Sequence, residues 1–404
     1  MKLRMQVLAA SFPILLALAL APQAALAESE LEPEPPETNF DDDLLEADEP
    51  IYSPVYGPRL TFTSQNGGVT VLYGQFNFAY QSLDDGEDTT SKIVDNGNWN
   101  SRLGVTYTLP VGENTFRARF ETGLTRRNSS LISQTNTPAW DDWRRPLLRW
   151  FEVAVDSKYG VFSLGQGATA ANGSTGLDDS FTFIAGATDS TDGFASFRFR
   201  DRSGALTPVS IGQVNSSLDA LRRFRVRYET PDFSGVTLST SVGKNILNDA
   251  DNNGYYDTAA RWTGTLGNIS VRSALGYQWI DISRADTVQR LAGSVSLLHE
   301  PTGLNFALSA GDEKDGPDYY WLRGGWRTRA FEAGTTSLSV DYYNGSNFLS
   351  RGARTENYGV YAVQDMDDWS VNLYIGWRQF TYSDRLGNSY QDADGLLTGV
   401  RFYF

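Results

Sequence analysis

Side chains suited to covalent chemistry are scarce here: the chain has no cysteine and one histidine, His299. Without a thiol there is no thiolate nucleophile and no sulfur metal ligand. A single imidazole, in the turn-like run His299 to Gly303, has no second imidazole with which to share a zinc ion. No catalytic residue is therefore expected, and the chain is not read as an enzyme. One stretch does have the spacing of cation ligands. Asp249, Asp251, Asn253, Tyr255 and Asp257, with Gly254 at the bend, match the first nine positions of a calcium loop, in which alternate oxygens wrap a hard cation. The bidentate acid that should follow three positions after Asp257 is missing, because Ala260 stands there. An Asp/Asn/Gly hairpin loop is the competing reading. Calcium is the one cofactor suggested, and none is required.

The remaining candidates are rows of fixed charge. Residues 168–197 contain Asp178, Asp179, Asp189 and Asp192 and no lysine or arginine. Arg102, Arg117, Arg119, Arg149 and Arg223, joined by Arg225 and Arg227, fall in strand-like segments. Acids facing arginines across a narrow, low-dielectric gap would create a transverse field that orders water and ions and disfavours apolar solutes. Alternatively, each arginine merely solvates a polar surface.

Both rows need a scaffold, and the patterning supplies one. From Val69 onward, segments of about ten residues alternate apolar and polar side chains. In Thr115–Thr125, Phe116, Ala118, Phe120, Thr122 and Leu124 share one face, and Arg117, Arg119, Glu121 and Gly123 share the other. Sixteen such segments run from 69–83 to 394–404, among them 98–109 and 369–382. Seven tight turns, such as Pro110 to Asn114, Gly267-Asn268 and Asp365 to Asp368, alternate with eight mostly longer connections. An even strand number with short turns at one end and long loops at the other is the pattern of a transmembrane β-barrel. Tyr277, Trp279, Tyr320, Trp326, Trp369 and Trp377 suit the headgroup level of a membrane. The fold class expected is all-β: a 16-stranded antiparallel transmembrane barrel occupying residues 69–404.

Residues 168–221 form one connection far longer than the ~12–15 residues at which unstructured loops become uncommon. It contains Phe181, Phe183, Ile184, Phe194, Phe197 and Phe199, which packing inside the barrel would bury. A plug or an external lid would bury them as well.

The ends of the chain have other work. Residues 1–27 carry Lys2 and Arg4, an apolar run from Val7 to Ala21, and Ala25-Leu26-Ala27, the pattern of a cleaved export signal. Residues 28–68 are expected to form an acidic, proline-rich periplasmic segment, disordered at least to residue 50. Its first part, 28–50, holds eleven acids and no base. Setting those acids and the two N-terminal cations aside leaves a net charge of −6 on residues 51–404, out of −15 for the whole chain. That balance excludes the basic footprint of a nucleic-acid binder and points weakly toward cations as permeant ions.

Several segments resemble, in order, the general trimeric porin family of Gram-negative outer membranes. They are Val71-Leu72-Tyr73-Gly74-Gln75, Ser101-Arg102-Leu103-Gly104-Val105, Tyr159 to Gly165, and Arg227-Tyr228-Glu229-Thr230-Pro231-Asp232-Phe233-Ser234-Gly235. The resemblance covers nearly all of 69–404. It implies a passive diffusion channel for ions and small hydrophilic solutes, a homotrimer in the outer membrane, and a third loop folded inward to narrow the pore. By strand position, Arg102 and Arg149 match the family's wall arginines, with Arg222 or Arg223 near a third. Terminal Phe404 resembles the signal read by outer-membrane assembly machinery; that machinery and the membrane lipids are the other implied partners. The Pro-Glu-Phe-Gly-Gly pattern often present in the third loop is missing. A substrate-specific channel and a soluble all-β binding protein are the alternative readings.

Overall fold

The structure, a computed structural model, describes residues 60–124, 127–140, 143–282, 286–386 and 390–404. The expected export signal and residues 28–59 of the acidic segment lie outside the described residues. The N-terminal half contributes β1 (Leu60–Thr63), β2 (Val69–Asp84), β3 (Thr89–Asp95), β4 (Arg102–Val111), β5 (Asn114–Gly123), β6 (Leu148–Ser157), β7 (Gly160–Ala168), β8 (Arg198–Arg200) and β9 (Leu206–Ser210). Next come β10 (Arg222–Glu229), β11 (Val236–Lys244), β12 (Gly254–Leu266), β13 (Ile269–Asp281), β14 (Thr287–His299) and β15 (Leu304–Glu313). The chain ends with β16 (Asp318–Phe331), β17 (Gly334–Ser346), β18 (Arg354–Met366), β19 (Val371–Ser383) and β20 (Ala393–Tyr403).

Sixteen of these, β2, β4 to β7 and β10 to β20, pair antiparallel with their neighbours in a closed ring. The last strand returns to the first, from Gln75 opposite Tyr403 to Asp84 opposite Asp394. Reciprocal backbone bonds between Gly74 and Phe404, at 2.9 and 3.0 Å, complete the seam. Closure gives every wall strand two partners and abolishes the unpaired edges that make open sheets aggregate. Strands β1 and β3 stand outside the ring. Each extends an end of the long β2, over Val69–Leu72 and Phe78–Asp84 respectively.

Side-chain alternation determines which face is which. On β19, Leu373, Ile375 and Trp377 are 45, 49 and 40% exposed, whereas Tyr374, Arg378 and Phe380 between and beyond them are buried. The exposed face is apolar around the ring, which suits hydrocarbon, and the polar residues take the opposite face. Tyr277, Trp279, Tyr320, Trp326 and Trp377 are all on the exposed side. Trp369 is not part of a strand. It ends the 3-10 turn Asp367–Trp369, whose cap Ser370 has φ 53°, so the last tight turn falls two residues later than Asp365 to Asp368.

The segment expected as a strand from 98 pairs only from Arg102. Residues 96–101 curl instead, because the Asp95 carboxylate accepts both the backbone N–H and the hydroxyl of Ser101. Local side-chain bonds of this kind compete with a sheet ladder.

The connection between β7 and β10, residues 169–221, contains the β8–β9 hairpin and one short helix, Ile211–Val214. Its Ile184, Phe194, Phe197, Phe199, Ile211, Val214 and Leu218 are buried with Trp321, Tyr343, Tyr361, Phe380 and Tyr382 of the wall in one hydrophobic cluster. Each buried phenylalanine contributes ~1.5–3 kcal/mol. Phe183 packs against Trp99 with ring centres 4.4 Å apart and the rings tilted, and Phe181, at φ 59°, lies under Arg327. The hairpin is fastened separately: Arg200 binds Asp85 and Asp88 at 2.8 and 2.9 Å. Burial works to raise the Asp85 carboxyl, but bonds from Arg200, Gln134 and nearby backbone N–H groups hold it below its ordinary value.

Candidate functional site

Polar side chains on the buried face of the ring gather into two charged clusters, and residues 169–221 take part in the first. Asp341, at the middle of β17, accepts bonds from Arg323 Nη2 at 2.7 Å, Arg378 Nη2 at 2.8 Å and Trp321 Nε1 at 3.0 Å. The two arginines then reach the long connection. Arg323 Nη1 binds Asp178 at 2.6 Å, and Arg378 Nε binds Asp192 at 2.6 Å. Tyr361 adds a hydroxyl bond to Asp192 at 2.8 Å. Its ring passes so close to Gly186 and Gly359 that a Cβ on either would overlap it. Only glycine permits that approach. Every charged member of this cluster is buried, where an ion lacking its partner would cost several kcal/mol.

The second cluster joins β4, β5 and β6. Glu121 Oε1 accepts from Arg149 Nε and lies 3.8 Å from Arg102 Nη1; Oε2 accepts from Arg119 Nη2 at 3.1 Å and Tyr73 Oη at 2.7 Å. Arg119 also lies 4.2 Å above the Trp150 ring, and Arg102 4.6 Å from Trp99. Such stacking stabilises a guanidinium that water cannot reach. Arg149 is present because of a backbone irregularity. The β5–β6 ladder skips from Glu121 opposite Trp150 to Thr122 opposite Leu148, so Arg149 is an extra residue. A β-bulge re-aims side chains, and here it brings Arg149 to Glu121 although it shares sequence parity with the exposed Phe151 and Val153.

Arg102, Arg119 and Arg149 are thus brought together, but around Glu121 and not around the acids of the long connection. Asp178 and Asp192 are compensated by Arg323 and Arg378, and Asp179 binds Arg272 of β13 at 2.7 Å. Asp189 is bonded by the N–H and hydroxyl of Thr191. Burial first, and the nearby Asp192 charge after it, push the Asp189 carboxyl above its ordinary value. Burial likewise raises Asp192, against the pull of Arg378. Arg117 lies apart, 3.7 Å from Asp156, and Arg223 stacks on Tyr255 at 4.2 Å. Arg323, Arg378, Asp341 and Glu121 were missed as site residues. Their mid-strand polar positions marked them as lining, but Arg378 and Asp192 are 186 residues apart, and only the closed topology makes them partners.

The calcium-like residues do not converge on a point, and among the described residues no group of three or more acids or histidines is placed to hold a metal ion. Asp249 binds Arg145 at 2.7 Å, and Asp251 accepts Tyr255 Oη at 2.6 Å. Asp257 accepts the N–H groups of Ala170 and Ala171 and the Ser241 hydroxyl. The reason is that β12 begins at Gly254, so the last ligands are drawn out along an extended strand instead of wrapping.

Comparison with protein families gives a match to the Gram-negative porin model over residues 15–385. No curated protein sequence matches. Among solved structures, an anion-selective porin from Comamonas acidovorans aligns with TM-score 0.54 at 13% identity, covering 83% of this chain and 100% of that one. OmpT of Vibrio cholerae in a trimer form gives 0.51 at 14%, covering 83% and 99%. The outer membrane channel DcaP of Acinetobacter baumannii gives 0.53 at 12%, covering 85% and 99%. These likenesses are to the sixteen-stranded barrel.

Proposed function

Since the chain belongs to the Gram-negative porin family, an outer-membrane channel and not an enzyme, we propose that it passes ions and small hydrophilic solutes by passive diffusion, through a constriction built by residues 169–221. A ring of sixteen strands is wide enough for an aqueous interior. The observation that carries the reading is the grip of Arg323 and Arg378 on Asp178 and Asp192. It ties the long connection to the polar face of β16 to β19, inside the barrel, where it narrows the path. Arg102, Arg119 and Arg149 line the facing part of the constriction, with Arg117, Arg223, Asp179 and Asp189 flanking it.

By likeness to the Vibrio protein solved as a trimer, this chain is a homotrimer. Membrane lipids cover its apolar belt. Residues 1–27 direct export, residues 28–68 remain periplasmic, and Phe404, bonded to Gly74 at the seam, serves the assembly machinery. Planar-bilayer recording tests the proposal. The purified protein should give discrete steps in conductance, and an Asp178→Asn/Asp192→Asn double variant should give larger or noisier ones as the connection loosens. Absence of steps from a correctly folded barrel would refute it.

A further inference from the structure

The exposed face of β18 and β19 changes character along its length. Toward the tight turn that joins the two strands it is apolar, with Val360, Trp377, Ile375 and Leu373 all exposed. In the other direction the outward positions become polar: Gln379 opposite Tyr358, Thr381 opposite Glu356, and Ser383 opposite Arg354. Tyr320, Tyr342 and Tyr358 form a row at this boundary, with ring centres 5.9 and 5.1 Å apart. Such rings mark the headgroup level of a membrane. Because the tight turns close the opposite end of the barrel, the boundary belongs to the extracellular leaflet.

Just past the boundary, arginines gather. Arg354 is exposed on the same face as Tyr358. The pairing continues beyond the end of β19, since a Cβ on Gly352 would lie 3.7 Å from the Cα and Cβ of Arg385. Gly352 thus stands opposite Arg385 as Arg354 stands opposite Ser383, and counting by two puts all four on one face. Arg354 and Arg385 are diagonal neighbours, roughly 7–8 Å apart, with the Ser383 hydroxyl and the bare Gly352 at the other two corners. Arg351 joins them from the turn in which Gly352 takes φ 93°. Among the described residues no carboxylate pairs with any of these arginines. Glu356, on the same face, is met by Asn344 at 3.3 Å, and Asp384 lies near Tyr382 and Tyr390. Like charges this close repel one another, and guanidinium forks match the geometry of a phosphate.

The same two strands carry an apolar groove lower down. Leu338, Val340, Val360, Ala362, Ile375 and Trp377 line an open hollow of about 820 Å³ on the exposed face. Gly324 borders it, and a Cβ there would meet no atom within 4 Å. A hollow of this size takes a small-molecule ligand. Val360 lies six residues along β18 from Arg354, about 20 Å at strand spacing, which the tilt of a barrel strand reduces to about 15 Å of membrane depth. Cationic cradle above and apolar groove below match the two ends of one lipid. We infer that this face holds a phosphate-bearing lipid of the extracellular leaflet, its phosphate between Arg354 and Arg385 with Arg351 beside them, and its acyl chain in the groove. A second copy of the chain seated here would account for the groove alone. The site depends on the membrane barrel and goes beyond the channel reading above.

Native mass spectrometry of the full-length protein in detergent, titrated with lipid A or with phosphatidylcholine, tests the site. Lipid A, which carries anionic phosphate monoesters, should be retained in preference to the zwitterionic lipid. An Arg354→Gln/Arg385→Gln double variant, altered only at exposed positions, should lose about tenfold or more in lipid A binding and little in phosphatidylcholine binding. Ala362→Trp, which fills the groove, should weaken retention of both lipids. Undiminished lipid A binding in the double variant would overturn the site. So would displacement of lipid A by millimolar inorganic phosphate, which would mark a site for the free anion. Loss of oligomers in Ala362→Trp with lipid A retention unchanged would give the groove to a second copy of the chain and overturn the proposal equally.

Discussion

Two charged clusters on the polar face of this barrel use the same residue types in different proportions. The cluster on β16 to β19 sets Arg323 and Arg378 against Asp178, Asp192 and Asp341, each carboxylate bonded by an arginine. The cluster on β4 to β6 sets Arg102, Arg119 and Arg149 around the shared Glu121. In the first, each carboxylate is held directly by an arginine, and the bonds tie the long connection to the wall, which is a mechanical role. The second gathers three arginines around one shared acid and two indole rings, away from the acids of the long connection.

Removing the hub of each cluster separates the two roles. Asp341→Asn should be the most damaging change, because both arginines lose a buried partner at once. A loss of roughly 3–5 kcal/mol is expected, read by chemical unfolding in detergent, with enlarged and fluctuating conductance in whatever folds. Glu121→Gln should cost less, about 2–3 kcal/mol, since Trp99 and Trp150 still face the guanidinium groups. Its main effect belongs in selectivity: the reversal potential in a salt gradient should move toward anions by several-fold in permeability ratio. If Glu121→Gln instead loosened the pore and Asp341→Asn shifted selectivity, the division of labour would be reversed.

Smaller changes sharpen the same contrast. Asp178→Asn leaves Arg323 bound to Asp341, so a loss of about 1–3 kcal/mol is expected in the same unfolding assay. Asp179→Asn breaks a partly solvated pair with Arg272 and should cost no more than ~1 kcal/mol, with single-channel conductance little altered.

The smallest effect concerns protons. The Asp189 carboxyl is held above its ordinary value by burial and by Asp192, so the folded state holds that proton more tightly than the unfolded chain does. Its stabilising contribution is full below the unfolded value of about 3.9. It is lost as pH rises through the raised folded value. Thermal melting of Asp189→Asn should therefore fall less than the unaltered protein across that window. Parallel melting curves would show that Asp189 titrates normally.

Much of the architecture was legible in the sequence. Period-two patterning marked sixteen wall strands to within a few residues, because a wall with hydrocarbon on one face and a polar interior on the other forces alternation at every step. The regions read incorrectly are those where side chains, not the ladder, direct the backbone. Asp95 curls residues 96–101, and Ser370 delays the last turn. In the calcium-like run ligand spacing is present, but strand β12 starts inside it and extends the last positions.

Of the candidate site, the sequence determined which residues were charged and on which strand face they lay, because face follows from counting by two along a single strand. Only the tertiary structure decided how they were paired. Asp192 meets Arg378 across 186 residues of chain, Arg149 turns to Glu121 through a bulge, and Asp178, Asp179 and Asp192 are gripped by Arg323, Arg272 and Arg378, which are not among the arginines first matched to them. Pairing depends on ring closure, on register and on the path of a 53-residue connection. Each sums small preferences over many residues, and none is written at the positions that it finally brings together.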